Sequence, residues 1–229
     1  MLSIPLFAGF FVGDGVPGQL PMKFIFSPPN QLTFLRILLT PVFILLLLST
    51  DPALRQLSVA VFFVALLTDW YDGWVARRWG YVTRWGAFFD PFADKIITSA
   101  ALIAFIYLGL VPAWTVWLII FRDILITFLR TYAEYKGRPV TTSRFAKTKT
   151  FLQFVIINYL LLLFVAQDME YFHLHHSMII ETLLNHSVVY SMMVAIALIT
   201  VWTGVLYIIE NWKTIRELYD FSGRVTESH

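Results

Sequence analysis

The stretch Asp69-Trp70-Tyr71-Asp72-Gly73-Trp74-Val75-Ala76-Arg77, followed after eight residues by Gly86-Ala87-Phe88-Phe89-Asp90-Pro91-Phe92-Ala93-Asp94, sets four carboxylates near the ends of two apolar runs. At roughly 100° per helical residue, Asp69 and Asp72 fall about 60° apart on one helix, and Asp90 and Asp94 about 40° apart on the next. Two adjacent helices could therefore aim two carboxylates each at one point. An acid beside hydrocarbon is expensive, about 2.5–3.5 kcal/mol even on lenient insertion scales, so four together call for a compensating partner. Divalent cations supply it. All-oxygen ligation suits hard ions such as Mg²⁺ or Mn²⁺, which also take phosphate oxygens from a substrate. The implied chemistry is attack at phosphorus with two metals clamping a pyrophosphate. Gly73 and Ala76 lie about 40° and 20° from Asp69 around the helix and leave room for a ligand, while Arg77 offers its planar fork to a phosphate or carboxylate. Each piece alone has a plainer reading. Acids at helix ends sit in water, Arg77 and Arg78 flank a span, and Gly73, Ala76 and Gly86 are helix-packing positions. The joint spacing overturns these.

Outside this stretch the chain reads as a membrane protein. Of its 229 residues 58% are hydrophobic and 14% charged, with a mean hydropathy of +0.70, far from an average soluble domain. A span takes roughly 20 apolar residues, so a chain of this size holds about five to seven helices and no separate soluble catalytic domain. Apolar runs at 31–49, 55–78, 86–109, 113–135, 147–167 and 187–210 predict an all-α, polytopic fold with six transmembrane helices. Ser49-Thr50-Asp51-Pro52 and Gly109-Leu110-Val111-Pro112 are read as tight turns, since Pro and Gly poorly continue a helix.

Lys and Arg test that topology, because cytoplasmic flanks are enriched in them. Lys23 precedes the first run; Arg77, Arg78 and Arg84 lie between the second and third; Lys136, Arg138, Arg144, Lys147 and Lys149 between the fourth and fifth; and Lys213, Arg216 and Arg224 after the sixth. Both termini are then cytoplasmic. The opposite connections carry only Arg55, and 167–187 reads as a long outward-facing, His-bearing loop. The chain divides into an N-terminal segment 1–27, a membrane domain 28–212 and a cytoplasmic tail 213–229. Three readings of the N-terminal segment stay open: a start at Met22, a signal peptide over Leu2 to Val12 without a basic n-region, or an interfacial helix. The absence of cysteine excludes disulfides, thiolate metal sites and a cysteine nucleophile.

The pattern D-x2-D-G-x2-A-R-x8-G-x3-D-x3-D is met at every fixed position by Asp69, Asp72, Gly73, Ala76, Arg77, Gly86, Asp90 and Asp94. It resembles the signature of the CDP-alcohol phosphotransferase family. That resemblance implies a dinuclear Mg²⁺ site on Asp69, Asp72, Asp90 and Asp94, with Asp94 as the base that deprotonates the acceptor hydroxyl. Asp69, Gly73, Ala76 and Arg77 would contact the cytidine diphosphate part of the donor. The resemblance also implies six helices with cytoplasmic termini, and on the family alone a homodimer.

A second block bears on the acceptor: Phe121-Arg122-Asp123-Ile124-Leu125-Ile126-Thr127-Phe128-Leu129-Arg130, then Gly137, then Ser143-Arg144-Phe145-Ala146-Lys147-Thr148-Lys149-Thr150-Phe151-Leu152-Gln153. Arg122 near mid-span is read either as an internal ion pair with Asp123 or another aspartate, or as part of an anion pocket. Lys147 and Lys149 are explained equally by flanking charge and by substrate binding. With Arg122, Arg130 and Arg144 they exceed what flanking needs, which suits an acceptor that already carries a phosphate. Together with Pro29-Asn30-Gln31-Leu32-Thr33-Phe34-Leu35-Arg36, whose Asn30, Thr33 and Arg36 are further pocket candidates, the block looks like the phosphatidylglycerophosphate synthase branch of the family over residues 28–165. It implies CDP-diacylglycerol as donor, sn-glycerol 3-phosphate as acceptor, and a bacterial inner-membrane enzyme with its site facing the cytoplasm. Phosphatidylglycerol, as in a cardiolipin synthase, and inositol phosphate stay open as acceptors. Membrane lipid is an expected partner and nucleic acid is not.

His173, His175, His176 and His186 match no branch pattern and lack acidic or cysteine partners at ligand spacing, so they are read as solvated rather than zinc-binding. Eight Trp and 21 Phe are read as lipid-facing and interfacial anchors. A transporter is the rival class, since intramembrane acids and arginines also mark ion paths. Against it, the acids gather at one membrane side, and the halves show no similarity to each other.

Overall fold

A computed structural model describes residues 28–79, 84–136 and 144–216, and its described elements are all helical. In chain order they are α1 (Pro28–Leu47), α2 (Pro52–Trp79), α3 (Arg84–Tyr107), α4 (Ala113–Tyr135), α5 (Arg144–Ala166), α6 (Glu170–Leu183) and α7 (His186–Glu210). Six of these follow the apolar runs, with ends shifted by a few residues. The N-terminal segment before residue 28, the 137–143 connection and the tail beyond residue 216 lie outside the described residues.

Local chemistry sets the breaks. Asp51 caps α2 by accepting from the Ala53 amide at 2.8 Å, and Pro52 takes the first helical position, where its missing N–H costs nothing. Gly109, at φ +70°, ends α3: its amide bonds Ile106 O at 2.9 Å and the Leu110 amide bonds Phe105 O at 3.0 Å. That is a Schellman closure, which needs the left-handed conformation glycine adopts freely. Asn185 caps α7 by accepting from the Ser187 amide at 2.9 Å.

The bundle packs α1 on α2 and α3, α4 on α3 and α7, and α5 on α2 and α7. Its core runs from Phe43 and Phe62, with rings 5.2 Å apart, through Ile97, Leu102 and Phe105 to Ile119, Ile157, Leu161, Met193 and Ile196. Large apolar side chains also cover the outside: Leu45, Tyr107, Phe121, Leu198 and Trp202 are all exposed. Such a surface suits lipid rather than water. Two helices, Phe145–Ala166 and His186–Glu210, are long and apolar enough to cross a bilayer, with shorter apolar helical stretches at Phe34–Leu47, Pro52–Thr68 and Lys95–Tyr107.

The 167–187 connection is not the open loop its polar residues suggest. It folds into α6, kinked at His176, and packs against α5 with Ile180 buried. Among the described residues Ile180 is its buried apolar side chain, while Phe172, Met178, Ile179 and Leu183 stay exposed. At the same end Arg55 donates to both Asp168 carboxylate oxygens at 3.1 Å and to Ser49 O at 2.6 Å, with its guanidinium 5.3 Å from the Phe164 ring centre. This clamp ties the start of α2 to the α5–α6 turn.

Candidate active site

Asp123, partway along α4, is the electrostatic centre of the described site. It is 3% exposed, and one of its oxygens accepts from Lys149 Nζ at 2.5 Å and from Arg122 Nη1 at 3.2 Å. Lys95 Nζ stands 3.8 Å from the other. Thus α3, α4 and α5 each give a cation to one buried acid. An unpaired carboxylate there would cost several kcal/mol, so the pairing is what permits Asp123 inside the bundle. Lys149 is fully buried and gives a second hydrogen bond to Gln153 Oε1, one turn along α5.

Arg122 is fixed from a third helix as well. Its Nη2 donates to Thr203 Oγ1 of α7 at 3.1 Å. The next residue, Gly204, makes room for the stem: a Cβ there would lie 3.3 Å from Arg122 Cγ. Arg130, two turns on, is braced by Glu134 at 3.0 Å.

Around this centre lies a cavity of about 1020 Å³, lined by Arg36 of α1, Lys95 of α3, Arg122, Asp123 and Arg130 of α4, Lys147 of α5 and Tyr207 of α7. Threonines 98, 127 and 150 add hydroxyls. Among the described lining residues five cations accompany one acid, so this part of the wall carries excess positive charge. Such a site selects an anion, and arginine forks select phosphate or carboxylate.

The four aspartates lie on two of the helices that contribute lining residues. Asp69 and Asp72 lie on α2 and Asp90 and Asp94 on α3, both helices running unbroken through these positions. Their side chains lie outside the described residues. Along the backbone, Asp94 directly precedes Lys95, which lines the cavity, and Asp69 follows Ala65, which also lines it, by about one turn, roughly 6 Å of rise. An all-oxygen donor set at these spacings fits a hard divalent ion. Among the described residues no three His, Asp or Glu side chains form a metal site.

The structure thus brings Arg36, Arg122, Arg130 and Lys147 to one cavity. It sets Lys149 apart, committed to Asp123 and Gln153 rather than lining the wall. Arg122 combines its two readings, paired with Asp123 and facing the cavity. Arg144, Asn30, Thr33, Gly73, Ala76 and Arg77 lie on helices, but their side chains are outside the described residues. Sequence reasoning missed Lys95, Gly204, Thr203 and Tyr207. Lys95 carried a signal, a cation directly after Asp94 at the head of an apolar run; the α7 residues carried none.

The fold and cavity define a helical bundle with an apolar exterior and a cation-lined cavity suited to an anion. Residues 26–212 match the family model described as CDP-alcohol phosphatidyltransferase, and the chain belongs to that family of transferases, which is generally dependent on a divalent metal. It is 36% identical over 150 residues to the CDP-diacylglycerol–glycerol-3-phosphate 3-phosphatidyltransferase of Bacillus subtilis, covering 60% of this chain and 78% of that one. It is 37% identical over 134 residues to the enzyme of the same name from Rickettsia typhi, covering 58% and 75%. It is 40% identical over 131 residues to the probable phosphatidylglycerophosphate synthase of Mycobacterium tuberculosis, covering 56% and 62%.

Proposed function

We propose that the chain transfers the phosphatidyl group of CDP-diacylglycerol to sn-glycerol 3-phosphate, giving phosphatidylglycerophosphate and CMP in phospholipid biosynthesis. The observation that carries the acceptor is the cavity lined by Arg36, Lys95, Arg122, Arg130 and Lys147 beside the aspartate helices. Neutral alcohols have no use for that charge. The names of the similar proteins point to the same acceptor.

In this reading Asp69, Asp72, Asp90 and Asp94 hold two divalent ions, Mg²⁺ or Mn²⁺, which when bound neutralise the pyrophosphate and activate its phosphorus. Asp69, Gly73, Ala76 and Arg77 seat the cytidine diphosphate. Arg36, Arg122, Arg130, Arg144 and Lys147 fix the acceptor phosphate, with Asn30 and Thr33 at the edge, and Lys149 acts through Asp123 by holding Arg122 in place. Asp94 takes the proton of the acceptor's primary hydroxyl. The oxygen bonds to the diacylglycerol-linked phosphorus, and the bond from that phosphorus to CMP breaks. Positioning and charge supply most of the rate, as in other phosphoryl transfers.

The topology that serves this is six transmembrane helices, with both termini and the site on the cytoplasmic side of a bacterial inner membrane. Residues 28–212 form the membrane domain and 213–229 a cytoplasmic tail. Two copies associate as a homodimer, and lipid surrounds them. The test is CMP release from CDP-diacylglycerol by purified protein in detergent. It should require both a divalent ion and glycerol 3-phosphate. Equal release with inositol phosphate or phosphatidylglycerol in place of glycerol 3-phosphate would refute the acceptor, and transport without CMP release would refute the reaction.

A further inference from the structure

Tyr207 has no part in the machinery described so far. It lies on α7, one turn beyond the Thr203 that holds Arg122, and it lines the cavity while only 1% exposed. Its hydroxyl is buried and makes no hydrogen bond to any described residue. A buried hydroxyl without a partner is costly, and natural interiors rarely keep one unless something else satisfies it. Phenylalanine would fill the same space without that penalty.

The surroundings say what would satisfy it. Arg122 bonds Thr203 one turn before Tyr207, Arg122, Arg130 and Tyr207 all line one cavity, and in the proposed topology α4 and α7 cross the membrane in the same direction. Tyr207 therefore lies level with the gap between Arg122 and Arg130. Two guanidinium groups on that wall favour an anion in the gap, and a phenol O–H sharing the cavity with them can donate to it where a carboxylate would repel it. Charge-assisted hydrogen bonds of this kind are stronger than neutral ones.

We infer that Tyr207 is a substrate-binding residue, donating its phenol proton as a hydrogen bond to the phosphate of the acceptor held by Arg122 and Arg130. This rests on the acceptor reading above. It adds α7 to the acceptor site and gives that site a neutral, directional donor in addition to point charges.

The test is Tyr207→Phe in the full chain, assayed by CMP release with each substrate varied in turn. The KM for glycerol 3-phosphate should rise about tenfold, equivalent to about 1.4 kcal/mol. The KM for CDP-diacylglycerol should stay within about twofold, and thermal stability in detergent should be unchanged or higher because the hydroxyl serves no folding contact. An unchanged KM for glycerol 3-phosphate overturns the inference. So does a variant that fails to fold, which would show the hydroxyl to be structural. If the wild-type protein itself releases no CMP with glycerol 3-phosphate, the acceptor reading fails first and takes this one with it.

Discussion

Lys149 Nζ and Asp123 Oδ1 meet at 2.5 Å, with the lysine fully buried and the aspartate 3% exposed. The pair couples α4 to α5 at the floor of the cavity, and the same carboxylate oxygen holds Arg122. Removing one partner of a buried pair strands the other, typically at a cost of about 3–5 kcal/mol. Lys149→Met should therefore lower the unfolding temperature in detergent strongly. The double variant Asp123→Asn, Lys149→Met should recover a good part of that loss. Additive losses in the double-mutant cycle would show the pair to be energetically unimportant.

Gly204 packs against the stem of an arginine that Asp123 and Thr203 both hold, so that arginine has little freedom to yield. Gly204→Ala gains about 1 kcal/mol of helix propensity and needs Arg122 to shift by a few tenths of an ångström. Stability should hardly change, while KM for glycerol 3-phosphate rises several-fold. A parallel rise in KM for CDP-diacylglycerol would argue against this local account.

At the opposite end of the bundle, Arg55→Lys keeps the charge but loses the planar group whose Nε donates to Ser49 O while Nη1 donates to both oxygens of Asp168. The expected loss is about 1.5–3 kcal/mol of stability, as for hydrogen bonds to charged groups. Turnover at a temperature well below unfolding should be unaltered, since the clamp is remote from the cavity. Comparable damage to kcat would contradict that separation.

Asp94→Asn should retain binding of CDP-diacylglycerol and lose turnover by roughly 10²–10⁴, the usual contribution of a general base. Chelation of divalent ions should abolish CMP release in the wild type, and Mg²⁺ or Mn²⁺ should restore it. Near-wild-type turnover of the asparagine variant would remove Asp94 from the proposed role.

Much of the fold was legible because the membrane leaves few options. Runs of apolar residues broken at Pro52, Gly109 and Pro112 become helices, since unpaired backbone cannot face hydrocarbon. The short helix α6 escaped because histidines and acids interrupt its apolar residues, leaving no run that reads as a span. In the site, sequence treated Lys147 and Lys149 alike, yet two residues apart on a helix means about 200° of rotation. One faces the cavity and the other is sealed against Asp123. Tyr207 was invisible for a different reason: its surroundings come from a helix some eighty residues earlier, and nothing in its own neighbourhood announces them.

The pairing of Asp123 also bears on how the protein is made. Under the proposed topology α4 leaves the ribosome carrying Arg122 and Asp123 near its middle, each costing about 2.5–3.5 kcal/mol on translocon insertion scales. Lys149 and Thr203, which complete their pairing, have not yet been synthesised. By this reckoning α4 is a reluctant passenger that settles only once α5 emerges. Truncation after residue 135 should leave it poorly inserted, and glycosylation-site mapping of successively longer chains would register the rescue.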